Sequence, residues 1–391
     1  VKRSGCAEVA AVASRTPGKA KVFAEKNNIS NYYASYEEML ARDDIDGVYV
    51  ATTHNFHHEN MIQALSAGKH VLCEKAFAMT KQQAAEVFAL AEKKQLFCME
   101  AMWSRFLPAV RKAKEWIDTG LIGDVNMAHF MIGFASSPDE NGRMRSKALG
   151  GGAMFDISVY AIEIPSYLIG KPIRSYTGQV LRDKNGVDTV DVITLCFDGC
   201  IASLQTTNLT NVEQSLQICG TKGRIKIPDP HYSDRCMRYD ENGLAEEFYE
   251  RRDNGFQYEI REMVSCIEKG KIESDVNIAD EDLKFLRDVA EMRYVQNFVT
   301  LTPCSARRYS THALANNKAL AIESRPKNLF GRLSSYYFTV SNTLSCTCYA
   351  SVALWKIFLP FLMIIPVRNV SAEIVCFGSS TFLSSIETPP P

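Results

Sequence analysis

Two segments of the chain carry side chains whose types and spacing could do chemistry together. Glu74 and Lys75 end an apolar run that predicts a buried strand. In open parallel sheets, ligands bind at the carboxyl ends of such strands. The glycines at 150–152 allow a close backbone approach and precede a predicted helix. Asp156 and Tyr160 lie four residues apart on that helix and therefore share one face.

Each feature also has an ordinary structural explanation. Glu74 and Lys75 fit a solvated ion pair, and Tyr160 fits a core tyrosine with a hydrogen-bonded hydroxyl. An acid and a phenol on an otherwise apolar helix are nevertheless hard to explain by packing alone. The functional interpretation is favoured because Asp156 and Lys75 accompany the tyrosine.

Strands and helices alternate over residues 1–102. The strands are unbroken apolar runs, which is typical of a doubly wound parallel sheet covered by helices on both faces. Ser35 and Glu38 have the spacing of a capping box, so a helix is expected to begin there. The other predicted elements are strands at 8–15, 46–51, 69–74 and 95–100 and helices at 17–27, 55–67 and 80–94.

From about Trp103 the pattern changes, and residues 103–298 predict a second domain. Sequential strands joined by glycine turns indicate a mostly antiparallel sheet, hence an α+β domain. Because too few helices remain to cover both faces of this sheet, we expect a homodimer. The predicted strands are 125–134, 174–181, 190–197, 201–208, 213–218 and 224–227, and the helices are 108–118, 257–269 and 279–295.

Residues 299–391 differ in character from the rest of the chain. They contain three acids against eight lysines and arginines, and no helix or strand period is sustained. We expect a poorly ordered tail that supplies no element to either domain, as a readthrough, mis-spliced or frame-shifted end would. The apolar segment 352–367 is shorter than the roughly 20 residues that span a bilayer, so a membrane anchor is not favoured.

Composition argues against several classes of protein. The 391 residues have a formal net charge of −1, which favours neither nucleic acid nor an anionic membrane surface as a partner. The twelve cysteines have no histidines at zinc spacing, so we expect reduced thiols, no metal site and a cytoplasmic location. The chain opens at Val1 with neither Met nor a secretion signal, and we expect its true start to lie upstream.

Three segments carry a resemblance to a known family. They are 74–79, 99–106 and 151–160. In this order they resemble the glucose-fructose oxidoreductase and inositol dehydrogenase superfamily, and within it the dimeric dihydrodiol and D-xylose dehydrogenases. The resemblance extends over residues 8–295. It implies a Rossmann-type dinucleotide-binding domain followed by an α+β domain for substrate binding and dimerisation.

The resemblance also implies which residues act. Lys75 matches the family's catalytic lysine, and Asp156 and Tyr160 match the acid and tyrosine of a second catalytic motif. Glu74 is expected to lie with the cofactor contacts at the strand end. The other implied contacts are Thr52, His54 and His57 beside the nicotinamide, and Trp103, Phe106 and Arg143 around the substrate.

The resemblance implies hydride transfer from a trans-dihydrodiol, or from an aldopentose such as D-xylose, to NADP, and these residue types suit the oxidation of an alcohol. Alcohol oxidation needs a base for the hydroxyl proton while hydride leaves. Tyr160 can serve if Lys75 and the cationic nicotinamide lower its pKa from the ordinary value of about 10. Asp156 would orient the substrate hydroxyl or the lysine.

The preference for NADP rests on the end of the first predicted strand. NAD sites usually place an acid there, whereas this strand ends at Ser14 and Arg15. A guanidinium suits the 2′-phosphate of NADP. The alternative is that Arg15 is a solvated surface base.

Two departures from the family pattern bear on activity. No Gly-x-Gly-x-x-Gly turn precedes the first predicted strand, so we expect that turn upstream of Val1 and weak or no NADP binding by the chain as it stands. Ala76 replaces the family's proline after Lys75, so the loop lacks the rigidity that would fix the orientation of the lysine.

Two alternatives to an oxidoreductase remain. One is a catalytically silent binding or scaffold protein on the same fold, and the other is a membrane-tethered protein using 352–367.

Overall fold

The computed structural model describes residues 1–137, 139, 142–251 and 254–274, together with a strand at 374–377. The predicted helix at 279–295 and the apolar segment 352–367 lie outside the described residues. Among the residues that the structure describes, no helix is long and apolar enough to cross a membrane.

The amino-terminal domain has the predicted alternation of parallel strands and helices. Strand β2 was not predicted, because it is only three residues long and none of them is fully buried. The Ser35 side chain accepts the N–H of Glu38, so the predicted helix cap is confirmed. The elements are β1 (Ala11–Ala13), α1 (Lys19–Asn27), β2 (Asn31–Tyr33), α2 (Tyr36–Leu40), β3 (Gly47–Val50), α3 (His54–Ser66), β4 (His70–Glu74), α4 (Lys81–Lys94) and β5 (Cys98–Ala101).

The second domain is built on an eight-stranded sheet. Its elements are α5 (Pro108–Asp118), β6 (Val125–Gly133), α6 (Val159–Ile169), β7 (Ile173–Arg182), β8 (Asp188–Phe197), β9 (Cys200–Thr207), β10 (Ser215–Gly220), β11 (Gly223–Pro228), β12 (Arg235–Asp240), β13 (Gly243–Tyr249) and α7 (Phe256–Glu268). The strand order is β13-β12-β11-β10-β6-β9-β8-β7, and every pair is antiparallel except β6 with β9. The prediction of a mostly antiparallel sheet is confirmed. Strands β12 and β13 were missed because charged residues interrupt their apolar positions.

Helices cover one face of this sheet and leave apolar side chains exposed on the other. Ala128 and Phe130 of β6 are buried in one cluster with residues of α5 and α6. Met127 lies on the opposite face, where its cross-strand partner is Ile201 of β9. These two side chains are 51% and 54% exposed.

A further strand of the parallel sheet comes from the distal part of the chain. Strand β14 (Ile374–Phe377) pairs in parallel with β3, with Ile374 opposite Gly47, and lies beside β1. The resulting order is β2-β1-β14-β3-β4-β5. Strand β14 thus takes the place that the first strand holds in a doubly wound dinucleotide-binding sheet. The expectation that residues 299–391 supply no element is therefore wrong for this strand.

Replacing Val375 in the middle of β14 with proline should lower the free energy of unfolding by about 1–3 kcal/mol. Proline has no backbone N–H to donate to an adjacent strand. A carbonyl oxygen of the parallel sheet would therefore lose its hydrogen-bond partner. Urea unfolding measures the change, and a chain ending after Asn297 should shift in the same direction. Unchanged unfolding midpoints in both variants would restore the view that the tail is dispensable.

Candidate active site

Lys75 lies directly after β4, at the carboxyl edge of the parallel sheet. Its ammonium donates to the main-chain carbonyl of Asp156 and lies 3.4 Å from the carboxylate Oδ1 of that residue. The same ammonium is 4.9 Å from the ring centroid of Tyr160. The structure therefore brings together the three residues predicted to be catalytic.

Asp156 is held between two cations. Arg143 donates from Nη2 to its Oδ1 at 2.9 Å, on the same oxygen that Lys75 approaches. Burial alone would raise the pKa of Asp156, but Lys75 and Arg143 hold it well below its usual range. Burial alone would likewise lower the pKa of Lys75, but Asp156 and Tyr160 raise it. Asp156 is therefore a fixed carboxylate that anchors the lysine rather than a base.

Tyr160 is buried, and its hydroxyl accepts a hydrogen bond from the indole Nε1 of Trp103 at 3.1 Å. Burial raises the pKa of Tyr160, while Lys75 and the Trp103 hydrogen bond oppose that rise. Lys75 thus lowers the pKa of Tyr160, but without cofactor desolvation outweighs the attraction of the ammonium. The predicted lowering by Lys75 and the nicotinamide together stays a prediction.

The glycine segment explains how the acid and the tyrosine reach this position. A Cβ on Gly150 would lie 2.6 Å from the Cβ of His54, and one on Gly152 would lie 2.4 Å from Oδ1 of Asp188. The close backbone approach predicted for these glycines is therefore an approach to the side chains of His54 and Asp188. A single wide turn of π-helix, Met154–Ser158, follows the glycines and leads into α6. Asp156 stands at the middle of this turn.

Two buried histidines of α3 brace the loop that carries Lys75. The His54 Nδ1 lies 2.7 Å from the carbonyl of Gly150 and its Nε2 lies 3.2 Å from that of Lys75. The His57 Nδ1 lies 2.9 Å from the carbonyl of Ala76. Burial lowers the pKa of His54 to about 3, so a neutral ring donates to one carbonyl, and Gly150 is the nearer. Their predicted contact with a nicotinamide stays a prediction.

Thr52 and Glu74 also make contacts within the protein. Thr52 Oγ1 accepts from Nδ2 of Asn60 at 3.0 Å. Tyr49 of β3 donates from its hydroxyl to Glu74 at 2.6 Å and lies 3.4 Å from Oε1 of Glu259 in α7. Burial raises the pKa of Glu74, with Tyr49 opposing, and burial and Glu74 raise that of Glu259 well above its usual value. Glu259 was not predicted, since nothing near it in sequence marks it.

Aromatic rings surround the tyrosine hydroxyl. The Trp103 ring stacks on that of Phe256, with centroids 4.7 Å apart, and the His231 ring lies 5.4 Å from the Tyr160 ring. Sequence reasoning identified Trp103 but missed Phe256 and His231, which come from α7 and from the segment after β11. Phe106 is buried in the apolar cluster of the amino-terminal domain, so its predicted substrate contact stays a prediction.

Arg15 lies at the carboxyl end of β1. It is exposed, and its guanidinium carbon is 4.2 Å from the ring centroid of Phe56 and 5.4 Å from that of Tyr36. Ser14 is buried beside it, and its side chain accepts the N–H of Thr16. A guanidinium braced by two rings at a strand end fits a ligand phosphate.

Within the described residues, no group of three His, Cys, Asp or Glu side chains could hold a metal ion.

Two domain families match the chain. Residues 1–102 match the oxidoreductase family with a NAD-binding Rossmann fold, and residues 110–226 match the GFO/IDH/MocA C-terminal domain. The chain belongs to the GFO/IDH/MocA oxidoreductase family. The predicted Rossmann-type and α+β architecture is confirmed, and the chain is an oxidoreductase with an NAD(P)-binding domain.

Relatives within the GFO/IDH/MocA family include trans-1,2-dihydrobenzene-1,2-diol dehydrogenases. The protein of Xenopus laevis is 34% identical over 288 residues, which are 71% of this chain and 86% of that relative. The protein of Homo sapiens is 31% identical over 300 residues, covering 73% of this chain and 87% of the relative. The predicted resemblance to dihydrodiol dehydrogenases is confirmed.

Solved structures of GFO/IDH/MocA enzymes share the fold. The aldose-aldose oxidoreductase of Caulobacter crescentus, complexed with glycerol, has a TM-score of 0.64 and 25% identity over 73% of this chain and 90% of its own. KijD10, a 3-ketoreductase from Actinomadura kijaniata in complex with NADP and TDP-benzene, has a TM-score of 0.64 and 25% identity over 73% and 87%.

Proposed function

We propose that this oxidoreductase transfers hydride from a trans-dihydrodiol, or from an aldopentose such as D-xylose, to NADP. The observation that carries the proposal is the buried cluster of Lys75, Asp156 and Tyr160 at the carboxyl edge of the parallel sheet. Ligands of open α/β sheets bind at this edge.

In the proposed mechanism Tyr160 takes the proton of the substrate hydroxyl. NADP, when bound, accepts the hydride at its nicotinamide ring, so the carbinol carbon becomes a carbonyl carbon. Lys75 favours the phenolate of Tyr160 by its charge, and Asp156 fixes the lysine in place. Trp103 donates to the same phenol oxygen and so holds the position of the base.

The aromatic surroundings support a cyclic diol as substrate. Trp103 contacts the Tyr160 hydroxyl and stacks on the ring of Phe256, and Arg143 supplies donors beside Asp156. Apolar faces with a few placed donors suit a substrate that is itself half apolar and half polar. The names of the relatives from Xenopus laevis and Homo sapiens agree with this choice.

Steady-state assays with NADP and either trans-1,2-dihydrobenzene-1,2-diol or D-xylose test the proposal. We expect reduced cofactor to accumulate with at least one of the two substrates. Saturable binding of NADP without reduction by either would support the catalytically silent alternative instead.

The proposed preference for NADP over NAD rests on Arg15. Its guanidinium stands at the end of β1, where NAD-specific sites usually place an acid, and is braced by Tyr36 and Phe56. NADP in the KijD10 complex agrees with this choice.

Replacing Arg15 with glutamate should raise KM for NADP by tenfold or more, about 1.4 kcal/mol, and lower KM for NAD. The reason is that a carboxylate repels the 2′-phosphate but accepts bonds from ribose hydroxyls. Initial rates with both cofactors measure the ratio, and Lys21→Glu in the exposed part of α1 is the matched control. Equal KM values for the two cofactors in the unaltered chain and in the variant would contradict the assignment.

We also propose a homodimer formed by the open face of the eight-stranded sheet. Exposed apolar side chains lie on that face, where Met127 and Ile201 are cross-strand partners, and a monomer would leave them in water. They are Met127, Leu181, Val192 and Ile201.

Replacing Ile201 with aspartate should convert the dimer to a monomer, because a charge would be buried without a partner in the interface. Sedimentation at micromolar concentration reports the mass. The control is Val22→Asp, an equally exposed position on α1. A monomeric unaltered chain would refute the proposal.

A cytoplasmic location is proposed on one ground. The eight cysteines among residues 1–274 are all free thiols, which suits a reducing compartment.

A further inference from the structure

Two buried acids of β8 stand behind the active site and take no part in the mechanism above. Asp188 is 8% exposed and Asp191 is fully buried. A carboxyl group in such a place needs hydrogen-bond donors, or a proton of its own, to offset the loss of water.

The two acids hold opposite ends of the turn that carries Asp156. The Asp188 carboxylate accepts the main-chain N–H of Met154, the first residue of the turn. The Asp191 Oδ2 accepts the hydroxyl of Ser158, the last residue of the turn, at 2.6 Å.

The two acids also influence each other electrostatically. Burial and the charge of the neighbouring Asp188 raise the pKa of Asp191 well above its usual value. The hydrogen bonds from Met154 and Ser158 offset part of the cost of burying the pair.

We infer that Asp188 and Asp191 act as a pair of positioning residues, which aims Asp156 and Tyr160 by fixing the turn between Met154 and Ser158. The inference rests on the proposed function of that site.

The backbone just before the turn lies against Asp188 of the same pair. Gly152 has a φ of 111°, and a Cβ there would meet the Asp188 carboxylate. The hydroxyl of Thr206 in β9 is hydrogen-bonded to the hydroxyl of Ser158 and donates to Oδ2 of Asp191, which ties the end of the turn to the sheet. A shift of either acid would therefore move the turn, and a misplacement of about 1 Å can cost about 100-fold in rate.

Substitutions of Asp191 test the inference. Asp191→Asn keeps an oxygen that accepts the hydroxyl of Ser158, whereas Asp191→Ala removes this acceptor. We expect the alanine variant to lower kcat by about 10- to 100-fold with a smaller effect on KM, and the asparagine variant to recover most of that loss. Asp198→Ala, on the exposed turn after β8, is the matched control.

One readout does not depend on turnover. In a chain with ¹⁵N-labelled tryptophan, the indole signal of Trp103, assigned with Trp103→Phe, should shift in Asp191→Ala and stay in place in Asp191→Asn. The signal reports the hydrogen bond to Tyr160.

This readout separates the inference from the proposed function. If the unaltered chain shows no turnover but the indole signal shifts only in Asp191→Ala, the positioning pair stands and the proposed reaction falls. An indole signal that moves equally in both variants would overturn the pair itself.

Discussion

Replacing Tyr160 with phenylalanine should lower kcat for alcohol oxidation by about 1,000-fold, within the range of a lost general base. The ring stays in place beside Trp103 and His231, so cofactor and substrate binding should change little. Tyr167→Phe, on the same helix, removes a phenol hydroxyl away from Lys75 and should retain activity. Comparable losses in the two variants would show that Tyr160 matters only for packing.

The pH dependence of the oxidation rate tests the same role of Tyr160. Oxidation needs the phenolate, and burial raises the pKa of Tyr160. The rate of the unaltered chain should therefore increase with pH throughout the neutral and mildly alkaline range, as the ionised fraction grows. The remaining activity of Tyr160→Phe should lack this increase. A pH-independent rate in the unaltered chain, measured where it remains folded, would contradict a tyrosine base.

Replacing Lys75 with alanine should lower kcat by about 100- to 1,000-fold. The phenolate of Tyr160 loses the charge that opposes its burial, so the rise of the rate with pH should move to higher pH. Asp156 keeps Arg143 as a partner, which leaves one of its two cations in place. The control is Lys93→Ala on the exposed side of α4, which should leave kcat unchanged.

Added ethylamine gives a further test of the Lys75→Ala variant. A small ammonium ion can enter the space left by the side chain and restore its charge beside Tyr160. Activity should rise with ethylamine concentration in Lys75→Ala and stay constant in the unaltered chain. Full activity of the alanine variant without any amine would remove Lys75 from the mechanism.

Much of the fold and the centre of the site could be predicted from the sequence. Unbroken apolar runs placed Lys75 at a strand end, and the four-residue spacing of Asp156 and Tyr160 placed both near one helix face. These are local patterns. The distance between Lys75 and Asp156 follows from the packing of two domains, and only the family resemblance indicated it beforehand.

Other features could not be predicted because they depend on residues far apart in the chain. Phe256 and Glu259 reach the site from α7, where no motif marks them. The raised pKa of Tyr160 comes from burial, which a spacing rule does not measure. Strand β14 is four residues long, and so short an apolar run cannot be assigned by periodicity.

Deuterium transfer tests the central claim most directly. The chain is incubated with saturating NADP and a trans-dihydrodiol or D-xylose that carries deuterium on the carbinol carbon, and the cofactor is analysed by mass spectrometry. The account predicts deuterium on the nicotinamide ring of reduced NADP, with a yield that falls sharply in Tyr160→Phe. Bound NADP that remains oxidised and unlabelled with both substrates would contradict it.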